Sequence, residues 1–304
     1  MLIYKYTVGK KKVYFPPGCE KNGEACIEMT KITEIFAACG ISISSSVPFS
    51  ACRIINSRKA EGLDFTPLSV CIGAVPYYPK GYEGGSVSVY AVSEDYHIFV
   101  NLLGKRITSL FQSIYKDRHI KIFGDNSPID EVDAAARAGI GVIGRNRLLI
   151  TEKYSSFVFL FEAITDLEPE HDAISPAECE SCGRCVAACP SGMDMQKCIS
   201  SLTQKKGALT DEERRLIIES GSLWGCDICQ NVCPHTLKAI EKGTIYTDIP
   251  WFGRNIIASP TPDDIADDEF FSSRAYSWRG KKTILRNMQL FDAEKNSDQL
   301  EKKV

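Results

Sequence analysis

The sequence predicts a mixed α/β amino-terminal domain that is followed by a smaller, cysteine-rich domain. Two observations lead to this prediction. Up to about residue 168, apolar runs of strand length alternate with segments of helical periodicity, which is typical of a domain built from both strands and helices. Beyond that point, eight of the 13 cysteines fall between Cys179 and Cys233. The polar, proline-containing stretch 168–176 between the two regions is typical of a domain boundary.

The elements of the first domain follow from the spacing of its apolar residues. Residues 68–75, LSVCIGAV, form a continuous apolar run, which predicts a buried strand. Apolar side chains spaced three and four residues apart predict a long helix over 95–116. HIKIFG and SFVFLFEAI predict two further strands, and PIDEVDAAARAG predicts a helix with proline in its first turn and glycine at its end. Residues 1–66 are expected to form short strands and helices.

The cysteine-rich region carries one clear helix signal. Thr210 is followed three residues later by Glu213, which is the capping-box pattern, so we expect a helix in the spacer between Cys198 and Cys226. The highly charged tail after residue 293 is expected to be mobile. The expected divisions are an α/β domain over 1–168, a cysteine-rich domain over 169–245 and an extension over 246–304 that packs back on them.

Composition and charge limit the classes of function. The 304 residues suffice for about two domains, and 44% hydrophobic with 25% charged residues is ordinary for a globular protein. The formal net charge is -3, so no global positive field would recruit nucleic acid. The opening residues MLIYKYTVGKKKVYF lack the apolar core of a secretory signal, and no stretch resembles a membrane span. We therefore expect a cytoplasmic protein with reduced thiols.

The clustered cysteines have the spacing of iron–sulfur ligands. Cys179 begins the pattern C-x2-C-x2-C-x3-C-P, and Cys226 begins a shorter one, C-x2-C-x3-C-P. Three thiolates at i, i+3 and i+6 can hold one cubane, whereas the cysteine before the proline is carried toward a second cluster. Cys198 can supply the ligand that the shorter motif lacks. Eight thiolates thus predict two 4Fe-4S clusters in a ferredoxin-like domain, which would relay electrons.

The crossover rule of two-cluster ferredoxins predicts how the ligands divide. Structural zinc is the alternative, because zinc also uses C-x2-C pairs, but it has no use for the x3-C-P crossover. The five other cysteines, Cys19, Cys26, Cys39, Cys52 and Cys71, are expected to be small apolar fillers without a function. The first cluster is expected to bind Cys179, Cys182, Cys185 and Cys233, and the second Cys189, Cys198, Cys226 and Cys229.

Several segments, in the same order along the chain, resemble a known family. DYH at 95–97, DNSPIDEVDAAARAGIGVIGRNRLLI, SSFVFLFEAITDL, the cysteine block with CISSLT and GCDICQNVCP, and WRGKKTILRN at 278–287 are similar to segments of epoxyqueuosine reductases. These are cobalamin-dependent iron–sulfur enzymes related to reductive dehalogenases. The resemblance runs from about residue 68 to about 292, and it indicates a short form without the family's C-terminal helical-repeat domain.

The resemblance implies a cobalamin-binding-type α/β domain and the removal of an epoxide oxygen from a modified nucleoside in tRNA. Asp125, in the family's D-x-x-P motif, would deliver a proton, and a poorly solvated carboxyl group has a raised pKa that suits this role. The alternative is that Asp125 only caps the helix that begins near Pro128. An external low-potential electron donor would feed the clusters.

The resemblance also places several residues near the corrin ring. Three glycines would let the backbone approach a large flat ligand, although glycine-rich turns are usually only turns. Tyr96 and His97 open the predicted long helix, where they can contact the cofactor or merely cap and pack. The expected cofactor-binding residues are Tyr96, His97, Gly139, Gly141, Gly144 and Asn146.

Any contact with tRNA would have to be local. Trp278 could stack on a base, although a position in the core is the commoner use of tryptophan. We expect an iron–sulfur, cobalamin-dependent reductase; the alternative is an electron-transfer or corrinoid-reactivating protein that turns over no tRNA. Five basic residues could meet a phosphate backbone or form a solvated face: Arg274, Arg279, Lys281, Lys282 and Arg286.

Overall fold

The structure is a computed structural model that describes residues 4–8, 11–15 and 31–301. Residues 4–8, 11–15 and 293–301 are described by their backbone alone. Cys19 and Cys26 lie outside the described residues, so their assignment as apolar fillers stays a prediction. The backbone of the last helix continues through the charged segment after residue 293 as far as Glu301.

A four-stranded antiparallel sheet in the order β3-β4-β8-β5 organises the first domain. Two hairpins, β1-β2 and β6-β7, accompany it. The three strands predicted from apolar runs, β4, β5 and β8, are confirmed. The strands of the described residues are β1 (Tyr4–Val8), β2 (Lys11–Phe15), β3 (Ile43–Pro48), β4 (Ser69–Pro76), β5 (Ile120–Phe123), β6 (Val142–Ile143), β7 (Leu149–Ile150) and β8 (Val158–Thr165).

Helices cover the sheet and make up most of the cysteine-rich part. Short 3-10 turns lie between some of them. The α-helices of the described residues are α1 (Ile32–Ala38), α2 (Ser57–Glu61), α3 (Tyr96–Ile114), α4 (Glu131–Arg137), α5 (Arg184–Ala188), α6 (Ile199–Gln204), α7 (Asp211–Ser220), α8 (Ile228–Asn231), α9 (Pro234–Glu241), α10 (Pro262–Ala266), α11 (Asp268–Ser272) and α12 (Lys281–Glu301).

The helix starts follow the capping chemistry of the sequence, with one correction. The capping box of Thr210 and Glu213 begins α7, as predicted. Helix α4 begins later than predicted, because Asp130 caps it by accepting a hydrogen bond from the Asp133 N–H. Pro128 therefore lies before the cap rather than in the first turn. It also follows that Asp125 is not the cap of α4, so that alternative is wrong.

The sheet is buried on both faces. Helices α1 and α3 pack on one face through side chains such as Phe36, Leu103 and Phe111, each with 0% exposure. Helix α4 packs its alanines on the other face, against residues such as Val70 and Ile164. Full burial of a large apolar side chain contributes about 1.5–3 kcal/mol, so these two layers fix the sheet and the loops that leave it.

The cysteine-rich part shares its cores with the α/β part. Ala239 and Ile245 join the cluster that contains Phe99 of α3. Val87 and Val92 pack with Trp224 in a second cluster. The segments on either side of residue 168 therefore hold each other in a fixed arrangement, which positions the cysteines relative to the sheet.

Three of the remaining cysteines are apolar filler, as predicted. Cys39, Cys52 and Cys71 are buried, and burial raises the pKa of each thiol above its ordinary value. An inert, protonated thiol in an apolar core behaves as a small hydrophobic side chain. Among the helices of the described residues, none is both long and apolar enough to cross a membrane.

Candidate functional site

The first set of four cysteines lines one cavity. Cys179, Cys182, Cys185 and Cys233 share it with residues of the β6-β7 turn. Gly183, in a left-handed conformation with φ 79°, turns the chain into α5, and the proline after Cys233 begins α9. Cys182 is exposed to solvent, so this cavity lies at the surface of the molecule.

The second set lines the wall of a larger cavity of about 840 Å³. Cys189, Cys198, Cys226 and Cys229 all face it, and none of them lines the first cavity. Each cavity is thus lined by one of the two sets of thiols, and the division of these ligands between two clusters stays a prediction.

Hydrogen-bond donors surround the sulfur atoms of the second set. The Asn146 side-chain amide donates to Cys229 Sγ at 3.8 Å, and the Ser191 hydroxyl lies 3.3 Å from Cys189 Sγ. Desolvation raises the pKa of Cys189, but hydrogen bonds from Ser191 and neighbouring backbone N–H groups outweigh it, and the net pKa is lowered. Burial raises the pKa of Cys226 to about 12 and that of Cys229 to about 11. Donors to the thiolates are a principal means by which a protein tunes an iron–sulfur cluster.

The spacing of the thiols along the chain distinguishes clusters from single ions. A zinc ion needs its ligands around a single centre, whereas each thiolate of a cubane binds a different iron atom. The x3-C-P crossover serves two neighbouring clusters and has no use in a zinc site, so the spacing favours 4Fe-4S clusters over the zinc alternative.

The cavity beside the second set has one aromatic wall. The Tyr96 ring stacks on Phe159 with centroids 4.0 Å apart and an interplanar angle of 11°, and the His97 ring lies 4.1 Å from Tyr96. Asp125 and Asn146 add polar groups to the lining. A volume of about 840 Å³ lies near the upper end of the range for small-molecule sites.

Asp125 follows β5 and projects into this cavity from a strained backbone. Its φ is 62°, in the left-handed region that residues other than glycine rarely occupy. The Tyr96 hydroxyl donates a hydrogen bond to Asp125 Oδ2, and His97 Nε2 lies 3.2 Å from the same oxygen. Desolvation, followed by the negative charge of Asp95, raises the pKa of Asp125 to about 6. The group can therefore hold a proton close to neutral pH.

Asp95 is a member of this site that the sequence analysis missed. It caps α3 by accepting from the His97 N–H, and its Oδ1 also lies 2.8 Å from His97 Nδ1. Both ring nitrogens of His97 are thus engaged, one by Asp95 and the other by Asp125. The signal was present in the motif DYH, because an aspartate two residues before a histidine at a helix start can both cap the helix and orient the ring.

The three glycines do not form the predicted cradle for a flat cofactor. None of them lines the larger cavity. Gly139 lies just beyond α4 with φ 73°, and an added Cβ at Gly141 would lie 2.5 Å from the Ile150 carbonyl oxygen. A Cβ at Gly144 would lie 2.3 Å from Asn146 Oδ1, and Gly144 lines the first cysteine cavity. These glycines allow the β6-β7 hairpin to pack tightly, and that hairpin places Asn146 between the two cavities.

Most of the basic residues near the C-terminus have structural partners. Arg274 is buried and donates to the backbone carbonyls of Val92 and Asn255. Arg286 donates to carbonyl groups of the α6-α7 loop, and Lys281 lies 2.6 Å from Asp268. Three of the five predicted RNA-contacting residues, Arg274, Lys281 and Arg286, are therefore held by groups of the protein itself.

Trp278 lies on the surface, although a position in the core is the commoner one for tryptophan. Its side chain is 57% exposed at the rim of the large cavity. The Arg279 guanidinium stacks on its ring, 3.6 Å from the centroid.

Comparison with protein families identifies the cysteine-rich part. Residues 178–236 match the 4Fe-4S double cluster binding domain. The fold and the site together define an iron–sulfur protein in which a two-cluster module adjoins a ligand-sized cavity in a mixed α/β domain.

Curated relatives resemble about two thirds of this chain. The epoxyqueuosine reductase of Lactococcus garvieae is 34% identical over 227 residues, which are 68% of this chain and 61% of that protein. The epoxyqueuosine reductase of Bacillus subtilis is 36% identical over 208 residues, which are 64% of this chain and 52% of that protein. The chain thus spans between half and two thirds of the length of these relatives.

Solved structures agree with this result. An epoxyqueuosine reductase crystallised with an epoxyqueuosine-modified tRNA-Tyr stem loop has a TM-score of 0.71 at 27% identity, covering 86% of this chain and 79% of that one. The enzyme from Streptococcus thermophilus has a TM-score of 0.65 at 25% identity, with the same coverage of 86% and 79%. The resemblance to epoxyqueuosine reductases and the predicted fold class are both confirmed.

Proposed function

We propose that this protein is an iron–sulfur, cobalamin-dependent reductase that removes the epoxide oxygen from epoxyqueuosine in tRNA. The observation that carries the proposal is the position of Asp125, a carboxyl group with a raised pKa in a cavity that four predicted cluster ligands also line. Proton delivery and electron delivery thus meet in one cavity. The reaction would consume two electrons and two protons, break both carbon–oxygen bonds of the epoxide, and leave an alkene and water.

The cavity fits a corrinoid in three respects. It is large, the aromatic side chains of Tyr96 and Phe159 line it, and the thiols of the second cluster line it as well. Tyr96 and Asn146 would contact the cofactor. His97 would not ligate it, because Asp95 and Asp125 occupy both ring nitrogens. A bound cobalamin would supply a strongly reducing cobalt centre, as the family resemblance implies.

The residues of this chain would divide the remaining work. An external low-potential donor would dock beside the first cluster, where Cys182 is exposed, and electrons would pass to the second cluster at the cavity wall. Asp125 would give its proton to the departing oxygen, and the Tyr96 hydroxyl and His97 would hold its carboxyl group in place.

The direct test uses anaerobically reconstituted protein with a chemical reductant and an epoxyqueuosine-containing tRNA stem loop. Mass spectrometry of the digested RNA should then show queuosine. If the protein carries both clusters and a corrinoid but forms no queuosine, the proposal is wrong, and an electron-transfer or corrinoid-reactivating role would replace it.

The pKa of Asp125 predicts a pH dependence. The neutral carboxyl is the proton donor, so turnover is expected to be highest below pH 6 and to fall about tenfold per pH unit above it. The nearby negative charge of Asp95 is the second cause of the raised pKa, so the substitution Asp95→Asn should move this decline to lower pH while keeping a residue that can cap α3. The kcat would be measured between about pH 5 and pH 8, with iron and corrinoid content checked at each point. A kcat that does not decline with pH in this range would remove Asp125 as the rate-determining acid.

Trp278 offers a place for an RNA base beside the cavity. Aromatic stacking contributes about 1–3 kcal/mol per base, so Trp278→Ala should weaken stem-loop binding by that amount, whereas Trp278→Phe should keep most of the affinity. Leu237 on α9 is a matched control, because it is 47% exposed and lies away from the cavity. Fluorescence anisotropy with a labelled stem loop would measure the effect. Equal affinities for Trp278→Ala and Leu237→Ala would rule out stacking.

A further inference from the structure

One asparagine lies at the boundary of the two cysteine cavities. Asn146 is in the turn between β6 and β7, its exposure is 8%, and its side chain lines both the large cavity and the first cysteine cavity. Its side-chain amide donates a hydrogen bond to Cys229, with Nδ2 3.8 Å from Sγ. Asn146 is therefore between the two places where clusters bind, and it contacts a predicted ligand of one of them.

The hairpin fixes the direction in which this amide points. Asn146 Oδ1 accepts a hydrogen bond from the Leu148 N–H at 3.4 Å, so the oxygen faces the turn and the nitrogen faces Cys229. The Gly144 N–H closes the turn by donating to the Leu148 carbonyl at 2.9 Å. A Cβ at Gly144 would lie 2.3 Å from Asn146 Oδ1, so glycine leaves the space that the amide oxygen occupies. The donor is thus oriented by the fold of the chain around it.

The two cysteine sets differ in their surroundings. Cys182 of the first set is exposed, whereas all four cysteines of the second set are partly buried. Within the described residues, the side-chain groups that reach a sulfur of either set are those of Asn146 and Ser191, and both reach the second set. The Ser191 hydroxyl has a single proton, which the Asp194 carbonyl also attracts at 3.4 Å. The Asn146 amide has two N–H groups, so it can keep one of them on the sulfur.

A hydrogen bond to a cluster thiolate stabilises the reduced cluster more than the oxidised cluster. Reduction adds one negative charge, and an N–H group that points at a sulfur ligand is attracted more strongly to the larger charge. Water beside the exposed Cys182 acts in the same sense on the first cluster. A partly buried set receives less of this help from water, so a protein donor at Cys229 compensates for it.

We propose that the Asn146 amide raises the reduction potential of the cluster that Cys229 binds and thereby draws electrons from the first cluster toward the large cavity. Cys229 falls in the second cluster whether the ligands divide by the crossover rule or consecutively along the chain, so the role does not depend on that division. Asn146 acts through the thiolate. The direction of electron flow rests on the proposed function, whereas the effect on the potential does not.

The first test measures both cluster potentials in corrinoid-free protein, so that a contact between Asn146 and the cofactor cannot contribute. Asn146→Leu removes the donor and fills its space with an apolar side chain of similar size, which keeps water from replacing the amide. One potential should become more negative. The ratio of reduced to oxidised cluster at a fixed potential should fall about tenfold, which corresponds to about 59 mV for one electron. The other potential should change by less.

Redox titration followed by electron paramagnetic resonance gives both potentials. If neither potential becomes more negative in Asn146→Leu protein with full iron content, the proposal is wrong. Iron content and melting temperature are measured for every variant, because a general disturbance of the cluster region would lower these values as well.

Asn231→Leu is the matched control. Asn231 is the last residue of α8, two residues from Cys229; it is exposed and lines neither cavity. The same substitution there should leave both potentials as in the wild type. A shift in Asn231→Leu as large as that in Asn146→Leu would show that the lost amide is not the cause.

Pulsed electron paramagnetic resonance provides a readout of the contact itself. With asparagine labelled by ¹⁵N in the side-chain amide, the reduced wild type and Asn231→Leu should show a nitrogen coupled to a cluster, and Asn146→Leu should lose this coupling. A wild type without the coupling would overturn the proposal, even where Asn146→Leu fails to assemble its clusters. If the wild type forms no queuosine, the proposed function fails, and the potentials and the coupling still decide the role of Asn146.

Discussion

Replacing Asp125 by asparagine is expected to lower turnover of an epoxyqueuosine-containing stem loop by about 10²–10⁴-fold, the usual contribution of a general acid. Asparagine has nearly the same shape and can still accept the hydrogen bond from the Tyr96 hydroxyl. It cannot give up a proton to an alkoxide. Iron content, corrinoid content and RNA affinity should therefore remain as in the wild type, while kcat falls. Single-turnover assays with prereduced protein would separate this chemical defect from slow electron supply.

Asp166→Asn is the matched control for that experiment. Asp166 also follows a strand of the same sheet and pairs with a histidine, since its Oδ2 lies 2.7 Å from His119 Nδ1. The pair lies at the other end of β5 from Asp125, and it does not line the large cavity. Its substitution should leave turnover unchanged. Full activity in Asp125→Asn would remove Asp125 from the mechanism, whatever the control shows.

Double substitutions of cysteines should show how the ligands are divided between the clusters. Cys189 and Cys229 line the same cavity, so replacing both by alanine is expected to remove one cluster and to lower iron from about eight to about four atoms per chain. Replacing both Cys182 and Cys189 removes one cysteine from each cavity and should damage both clusters. Turnover should be abolished in both variants, because the electron relay is interrupted.

The same pair of variants distinguishes the crossover from a sequential assignment. If each cluster instead took four cysteines consecutive in the sequence, the Cys182 and Cys189 double variant would lose one cluster and the Cys189 and Cys229 variant would be damaged in both. Iron analysis and electron paramagnetic resonance of the reduced proteins would decide. Cys39→Ala is the control, because Cys39 is buried in the apolar core and away from both cavities.

Local patterns were enough to predict most of the secondary structure. The apolar runs predicted β4 and β8, and the periodic apolar positions predicted α3, because burial of one face or of a whole strand leaves a direct trace in the sequence. The capping box of α7 is likewise a local interaction. The start of α4 was misplaced, because Asp130 competed with Pro128 as the helix start and either residue is compatible with the sequence.

The part of the candidate site that could be predicted is the part whose chemistry, cluster ligation, is typical of one residue type, cysteine. Two 4Fe-4S clusters could be predicted from the spacing of the cysteines alone, since thiolate ligands of a cubane need fixed separations along a short chain segment. The sequence did not show which group lies against the three glycines, because a glycine permits close packing of the backbone against any neighbour. At Gly141 and Gly144 the neighbour is the protein's own hairpin. The exposure of the Trp278 side chain could not be predicted from the sequence either, since tryptophan occurs both in protein cores and at the edges of binding cavities.

The sequence by itself determined the ligand chemistry of the clusters and the α/β character of the domain beside them, because spacing and periodicity are local properties of the chain. Only the tertiary structure decided that the two cysteine sets face separate cavities and that Asp125 meets Tyr96, His97 and Asp95 in one of them. These contacts join residues that are distant in the sequence or on different elements, and packing of the helices against the sheet brings them together.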